Sequence, residues 1–174
     1  AKIGPRADKL LKSIVWAADM PPTLESEYLV KGWLYRGQTS VLYGAANVGK
    51  SFLGLDLAHA ISKGRSWNGR RVRKGRVLYI ATEGGGGISN RVAALNDPEF
   101  YVLSSSLLLT GSSSQAQFLA EAVAHISPDG QLDFIVIDTM ARVMGQADEN
   151  AASDIADLLY NVGIIQGATG AHVM

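Results

Sequence analysis

The sequence contains no cysteine, and this absence excludes several kinds of site. The chain cannot form a disulfide framework, a thiolate zinc site or a cysteine nucleophile, which fits a reducing compartment. It also lacks any apolar run approaching the roughly 18–20 residues that cross a bilayer. We therefore expect a cytoplasmic protein with no membrane partner.

The formal net charge of the chain is zero. The 174 residues contain 16 Lys and Arg and 16 Asp and Glu, so overall charge gives no sign of a histone-like polyanion binder. The two halves differ, however: residues 1–91 contain 15 basic and six acidic residues, whereas residues 92–174 contain one basic and ten acidic residues. Such asymmetry fits either head-to-tail assembly of subunits or DNA binding by the basic half, and both hypotheses stay open.

A pair of prolines divides the chain into a leader and a main domain. Pro21 and Pro22 cannot continue a helix, so residues 1–27 are interpreted as an amphipathic helix over 7–18 followed by a linker. The main domain is predicted to span residues 28–174, a length that suits one core. Because residues 171–174 have the pattern of a buried strand at which the chain stops, we expect the domain to be incomplete at its C-terminus.

Strand and helix patterns alternate through the main domain. Continuous apolar runs, which are typical of strands buried on both faces of a parallel sheet, occupy residues 41–43, 77–81 and 134–137. Weaker strand patterns cover residues 100–103 and 107–110. Helical patterns cover residues 50–62, 87–96, 115–126 and 151–166. This alternation predicts a three-layer α/β domain with a mainly parallel central sheet.

The segment 44–51 matches the pattern G-x-x-x-x-G-K-[ST] between a predicted strand and a predicted helix. Its residues are Gly44, Ala45, Ala46, Asn47, Val48, Gly49, Lys50 and Ser51. Glycines let the backbone curl so that N–H groups point at phosphate oxygens, and the helix N-terminus adds positive potential. We predict a nucleotide-phosphate site, with Lys50 on the outer phosphates and Ser51 on Mg²⁺. The alternative is a glycine turn with an incidental lysine.

Two carboxylates follow predicted strands and complete a possible hydrolytic site. Asp138 ends the apolar run 134–137, at the sheet edge where ligands of such folds bind, and is predicted to hold Mg²⁺ through water. Glu83 follows the run 77–81 and precedes four glycines, a placement that suits a group polarising water. The alternatives are a capping role for Asp138 and a solvated loop glutamate at position 83.

These segments together resemble a known family. Residues 44–51, 64–70, 77–83 and 137–143, with Arg91, are similar to the RecA-like P-loop ATPases related to the RepA-type hexameric replicative helicases of plasmids and phages. The resemblance covers approximately residues 28–174. It implies a RecA-like fold and an ATPase that uses ATP and Mg²⁺ to move on single-stranded DNA as a ring, most simply a hexamer.

The resemblance also implies roles for individual residues. Glu83 becomes the catalytic base, Lys50 and Ser51 bind phosphate and Mg²⁺, and Asp138 is the magnesium acid. Sensor and arginine-finger residues of relatives would lie beyond the end of the chain.

Two arginines and a tryptophan stay open to more than one interpretation. Arg91 and Arg142 are candidate nucleotide sensors or DNA contacts, and the alternatives are a surface arginine and a salt bridge from Arg142 to acids at 148–149. Trp67 either stacks on a base or packs a helix end onto the sheet. Two further functions stay open for the chain: a RecA-family ATPase that acts as a loader or nucleotide switch, and a nucleotide-binding module without turnover.

Overall fold

A parallel β-sheet with helices on both faces forms the centre of this computed structural model. The structure describes residues 4–20, 27–82, 86–112, 114–127, 129 and 131–174. The helices are α1 (Pro5–Ser13), α2 (Lys50–Lys63), α3 (Gly86–Ala93), α4 (Ala116–Ile126), α5 (Met140–Met144) and α6 (Ala152–Thr169), with a 3₁₀ turn at Ala17–Asp19. The strands are β1 (Tyr28–Val30), β2 (Leu34–Tyr35), β3 (Val77–Ala81), β4 (Tyr101–Leu103), β5 (Phe134–Asp138) and β6 (His172–Val173).

The sheet has four strands in the order β4-β3-β5-β6, and every neighbouring pair is parallel. Strands β1 and β2 form a separate antiparallel pair. The α/β fold with a parallel sheet, of the RecA-like type, is therefore confirmed. The predicted division between residues 27 and 28 stays a prediction, and the proline pair lies outside the described residues.

Side chains of β3 and β5 alternate between two apolar clusters. Leu78 and Ile80 face the cluster that contains α4 and α6, whereas Val77 and Tyr79 face the cluster that contains α2. Side chains of β5 alternate in the same way, because Phe134 and Val136 belong to the α2 cluster. Since successive residues of a strand point to opposite faces, Tyr79 and Asp138 both belong to the face that α2 covers.

Two predicted strands are wrong. Residues 41–43 form no strand, because only the preceding segment pairs with β6: Ser40 donates its N–H to the Val173 carbonyl at 3.0 Å. The apolar side chains beyond it are open to solvent, with Val41 62% and Tyr43 89% exposed. Residues 107–110 are mostly buried but form no strand. Their backbone bonds to helical segments: the Leu109 N–H donates to the Val143 carbonyl of α5 at 2.7 Å, and the Leu108 carbonyl accepts the N–H of Gln115 at 2.7 Å.

Helix positions agree better with the sequence patterns. The helices at 50–62, 87–96, 115–126 and 151–166 correspond to α2, α3, α4 and α6 with shifted ends. The predicted helix at 7–18 is shorter, because α1 ends at Ser13 and Ile14 is extended. Consecutive β-branched residues disfavour a helix at that point. Among the residues that the structure describes, no helix has the length and apolar character needed to span a bilayer.

A buried histidine anchors the segment that leads to the glycine-rich loop. His172 of β6 is 2% exposed, and its Nδ1 lies 2.7 Å from the Tyr35 carbonyl oxygen. A carbonyl oxygen only accepts, so Nδ1 carries the proton and Nε2 accepts the hydroxyl of Ser40 at 2.8 Å. Burial lowers the pKa of His172, which favours this neutral form.

Four of the seven basic residues between positions 63 and 76 pair with acids of the same chain. The pairs are Arg65–Asp56, Lys63–Asp97, Lys63–Glu99, Lys74–Glu99 and Arg76–Asp129. Hydrogen bonds from Lys63 and Lys74 lower the pKa of Glu99 to about 2. Part of the charge asymmetry along the sequence therefore cancels within one molecule.

The chain segments that lead into β3 and β5 lie so close together that position 75 should not tolerate a residue larger than glycine. A Cβ at Gly75 would lie 2.6 Å from the Asp133 Cβ, and Asp133 is held because its Oδ2 accepts the N–H of Arg76 at 2.7 Å. We expect Gly75→Ala to lower the free energy of unfolding by about 1–3 kcal/mol, measured by urea denaturation.

Gly163→Ala is the control, because a Cβ there meets nothing within 4 Å. It should leave stability unchanged or raise it by up to about 1 kcal/mol. Equal unfolding midpoints for wild type and Gly75→Ala would contradict the expected clash.

Candidate functional site

The glycine-rich loop ends where α2 begins. Gly49 has φ +93° and Asn47 φ +63°, left-handed conformations that turn the backbone sharply before the first helical residue, Lys50. The loop is solvent-exposed from residue 44 to residue 48. Within the described part of the chain, no acceptor receives the N–H groups of residues 47–51. These donors at a helix N-terminus form a cradle suited to an anion.

The Lys50 side chain folds back over this loop. Its Nζ donates to the carbonyl oxygen of Gly44 at 2.8 Å and to that of Ala45 at 2.7 Å. The ammonium group is therefore held against the loop, so the positive charge of Lys50 lies beside the segment whose N–H groups have no acceptor among the described residues. The structure places Lys50 against the loop, and its predicted contact with phosphate stays a prediction.

Beneath the loop, the Asp138 carboxylate accepts two hydrogen bonds. The Ser51 hydroxyl donates to Oδ1 at 3.0 Å, and the Tyr79 hydroxyl donates to Oδ2 at 2.7 Å. The structure therefore brings Ser51 and Asp138 together, as predicted from two segments 87 residues apart. The capping alternative receives no support, because the carboxylate makes no hydrogen bond to α5, whose N-cap residue is Thr139.

Tyr79 is a site residue that the sequence reasoning missed. Its side chain is fully buried, and burial, followed by the hydrogen bond to Asp138, raises the pKa of its hydroxyl far above the ordinary value. The hydroxyl is therefore a permanent donor to Asp138. One signal was present in the sequence: a tyrosine in a strand otherwise apolar on both faces needs a polar partner for its hydroxyl.

Thr82 joins the carboxyl ends of β3 and β5. Its N–H and its Oγ1 both donate to the Asp138 carbonyl, at 2.9 and 2.8 Å, and the same Oγ1 accepts the N–H of Thr139 at 3.0 Å. The end of β3 is thereby fixed at the level of Asp138. Glu83, the predicted base, is the next residue and lies outside the described residues.

Two further predicted residues, Arg91 and Arg142, lie on α3 and α5. Arg91 of α3 places its guanidinium carbon 5.1 Å from the centre of the Phe52 ring, a cation–π contact beside Ser51. Arg142 lies exposed on α5, directly after β5. The salt bridges among the described residues include none from Arg142 to Asp148 or Glu149, so that alternative is wrong.

Trp67 packs inside the domain. Its side chain is 7% exposed, its Nε1 donates to Asp56 of α2 at 2.7 Å, and its ring stacks on Trp33 with centroids 4.9 Å apart. The packing interpretation is therefore confirmed, and direct stacking of Trp67 on a base is excluded by its burial.

The sequence also matches the model of a protein family. The model for AAA_25, described as an AAA domain, matches residues 5–174. The chain belongs to the AAA_25 family. No curated protein matches the chain. Membership indicates a P-loop ATPase, and such ATPases generally use ATP with Mg²⁺.

The oxygen atoms present in this AAA_25 domain fit a magnesium ion. Mg²⁺ takes oxygen ligands and usually binds through one or two carboxylates and substrate phosphates. A hydroxyl and a carboxylate oxygen lie 3.0 Å apart at Ser51 and Asp138, below the phosphate cradle. The donor set therefore matches the ion that the family uses.

Tyr79→Phe removes one donor to Asp138 and leaves the packing of the ring unchanged. Because partners that orient a metal-binding carboxylate tune metal affinity, we expect Mg²⁺-dependent nucleotide binding to weaken about 10-fold. Isothermal titration with ADP across a Mg²⁺ series measures it.

Tyr101→Phe is the matched control. It removes a hydroxyl that donates to the Ile126 carbonyl at 2.9 Å, away from Asp138, and should leave binding unchanged. Equal Mg²⁺ dependence in wild type and Tyr79→Phe would show that the hydrogen bond does not orient the carboxylate.

Proposed function

We propose that this AAA_25 domain is the motor of a RepA-type replicative DNA helicase, coupling ATP hydrolysis to movement on single-stranded DNA as a ring, most simply a hexamer. The observation that supports the ATPase part best is the joining of three elements at Asp138. Ser51 of the loop helix and Tyr79 of the neighbouring strand both donate to this carboxylate, directly below the phosphate cradle. The helicase part rests on the resemblance of the motif segments.

ATP binds with its phosphates against the loop. The N–H groups of residues 47–51 and the ammonium of Lys50 supply hydrogen bonds and positive charge. Ser51 and Asp138 are the residues that would hold Mg²⁺, Asp138 through water, and the ion would supply neutralisation of phosphate charge. On binding, Lys50 exchanges its two carbonyl acceptors for phosphate oxygens.

Glu83 acts as the base that orients and polarises water. The bonds of Thr82 to Asp138 and Thr139 fix the residue that directly precedes Glu83 in the sequence, and Glu83 follows the last residue of β3 by two positions. A carboxylate there has the chemistry to accept a proton from water attacking the terminal phosphate. Arg91, whose guanidinium lies over Phe52, and Arg142 on α5 are the proposed sensors of nucleotide or DNA.

Glu83→Gln separates binding from hydrolysis. An amide cannot accept the proton, so we expect ATP affinity to survive while the hydrolysis rate falls about 100-fold or more. Lys50→Ala should instead lose nucleotide binding. Phosphate release and binding of fluorescent ADP measure the two quantities.

Glu149→Gln provides the control, because residue 149 is an exposed turn residue outside the proposed site. It should behave as wild type in both assays. An unchanged hydrolysis rate in Glu83→Gln would remove the base assignment without affecting the phosphate site.

Single-stranded DNA should stimulate hydrolysis. A motor that moves on DNA couples turnover to its track, so we expect a several-fold higher ATPase rate with a single-stranded oligonucleotide and a smaller effect with duplex. The mass in solution should correspond to a ring when ATP is present. ATPase activity that no DNA alters would contradict the motor and favour the loader or nucleotide switch.

A further inference from the structure

A short antiparallel ribbon lies beside the parallel sheet. Val30 at the end of β1 forms a bridge with Val72, the Lys31 N–H donates to the Arg71 carbonyl at 2.9 Å, and the Arg73 N–H donates to the Leu29 carbonyl at 2.9 Å. In this antiparallel register Lys31 lies opposite Arg71. Like charges directly opposite each other on paired strands are destabilising, so the ribbon keeps this pair at a cost in stability.

The cations of the ribbon are exposed and take part in none of the salt bridges among the described residues. Lys31, Arg70, Arg71 and Arg73 are all exposed, and the acids of the described residues form no salt bridge with any of them. The Arg70 Nη1 donates to the Lys31 carbonyl at 3.1 Å, which brings its guanidinium to the same place. The neighbouring basic residues at 63, 65, 74 and 76 differ, since each is paired with an acid.

An aromatic platform lies within this ribbon. Trp33 follows Lys31 by two residues and stacks on Trp67 with an interplanar angle of 8°. Trp67 covers one face of the ring, yet Trp33 stays 41% exposed, so part of its side chain is open to solvent. The hydrogen bond from Trp67 to Asp56 attaches the stacked pair to α2.

We propose that this surface, the ribbon patch of Lys31, Trp33, Arg70, Arg71 and Arg73, binds single-stranded DNA. One base stacks on Trp33, and the arginines and Lys31 contact the phosphates on either side. Positive charge with a flat aromatic face is the combination that single strands need, because a single strand exposes its bases whereas a duplex hides them. An acidic surface of a second copy would satisfy the charges but leave the exposed ring without a partner.

The ribbon-patch proposal extends the proposed function. It rests on that function, because the proposed motor is what identifies the ligand as single-stranded DNA. It also adjoins the nucleotide site: Trp33 lines a small cavity with Ser40 and Leu42, which lead to the loop, and with Leu53 of α2. Asp56, which holds Trp67, lies on the same helix that starts at Lys50. Strand binding and nucleotide binding therefore share α2 as a rigid support.

Anisotropy titrations of the full chain with a labelled 12-nucleotide oligo-dT and an abasic oligomer of equal length test the proposal. We expect Trp33→Ala to weaken binding to oligo-dT about 10-fold, the loss of one stacked base, and to leave abasic binding unchanged. The double variant Arg71→Gln/Arg73→Gln should weaken both and lower the slope of log K against log salt by about 1.4, for two phosphate contacts on a single strand.

Two variants provide matched controls. Trp16→Ala removes a tryptophan that is 76% exposed in the N-terminal segment, and Arg65→Gln/Lys74→Gln removes equal charge from cations already paired with Asp56 and Glu99. Both should bind oligo-dT as wild type does. Wild-type binding by Trp33→Ala, or by Arg71→Gln/Arg73→Gln, would overturn the ribbon patch, as would a loss of self-association without a loss of DNA binding.

The same variants distinguish the proposed DNA-binding patch from the proposed function as a DNA-dependent motor. If DNA stimulates hydrolysis and the ribbon variants keep full DNA affinity, the patch is wrong and the motor stands. If the ribbon variants lose affinity as expected but DNA leaves hydrolysis unchanged in wild type, the patch stands and the motor is wrong.

Discussion

The Asp138 carboxylate joins three parts of the molecule, and the candidate site depends on it. It accepts hydrogen bonds from Ser51 at the start of α2 and from Tyr79 of β3, while belonging itself to β5. This is possible because Tyr79 and Asp138 share the face of the sheet that α2 covers. The position of the glycine-rich loop over the sheet edge therefore follows from the alternation of two strands and from one carboxylate with two donors.

Much of this arrangement could be predicted from the sequence, for physical reasons. The runs 77–81 and 134–137 are apolar at every position, as burial on both faces requires, and they became adjacent parallel strands. The pattern at 44–51 combines glycines that permit left-handed angles with a helix start, so loop and helix boundary were both predictable. Local patterns sufficed wherever the determining interactions lie close along the chain.

Contacts between distant segments account for what could not be predicted. Residues 41–43 have an apolar pattern but form no strand, since β6 offers pairing only up to Ser40. The tryptophan platform joins Trp33 to Trp67, which are 34 positions apart in the sequence. The cations at 31, 70, 71 and 73 come together only through the ribbon, so no local stretch of sequence shows either arrangement. Three of the four acids that pair with the basic stretch, Asp97, Glu99 and Asp129, likewise come from the acidic half of the chain, whereas Asp56, the partner of Arg65, lies in the basic half.

The bonds of Thr82 have a consequence for how the strands find each other during folding. The Thr82 hydroxyl donates to the Asp138 carbonyl and accepts the N–H of Thr139, and both bonds are available only when Ala81 is aligned with Asp138. A slip of β3 by one residue would turn the Tyr79 hydroxyl into the apolar cluster of α4 and α6 without a partner, at a cost of about 1–3 kcal/mol. The polar groups of the site thus favour one register of β3 against β5, because a shifted register leaves them without hydrogen bonds. Apolar side chains alone would distinguish the two registers less strongly.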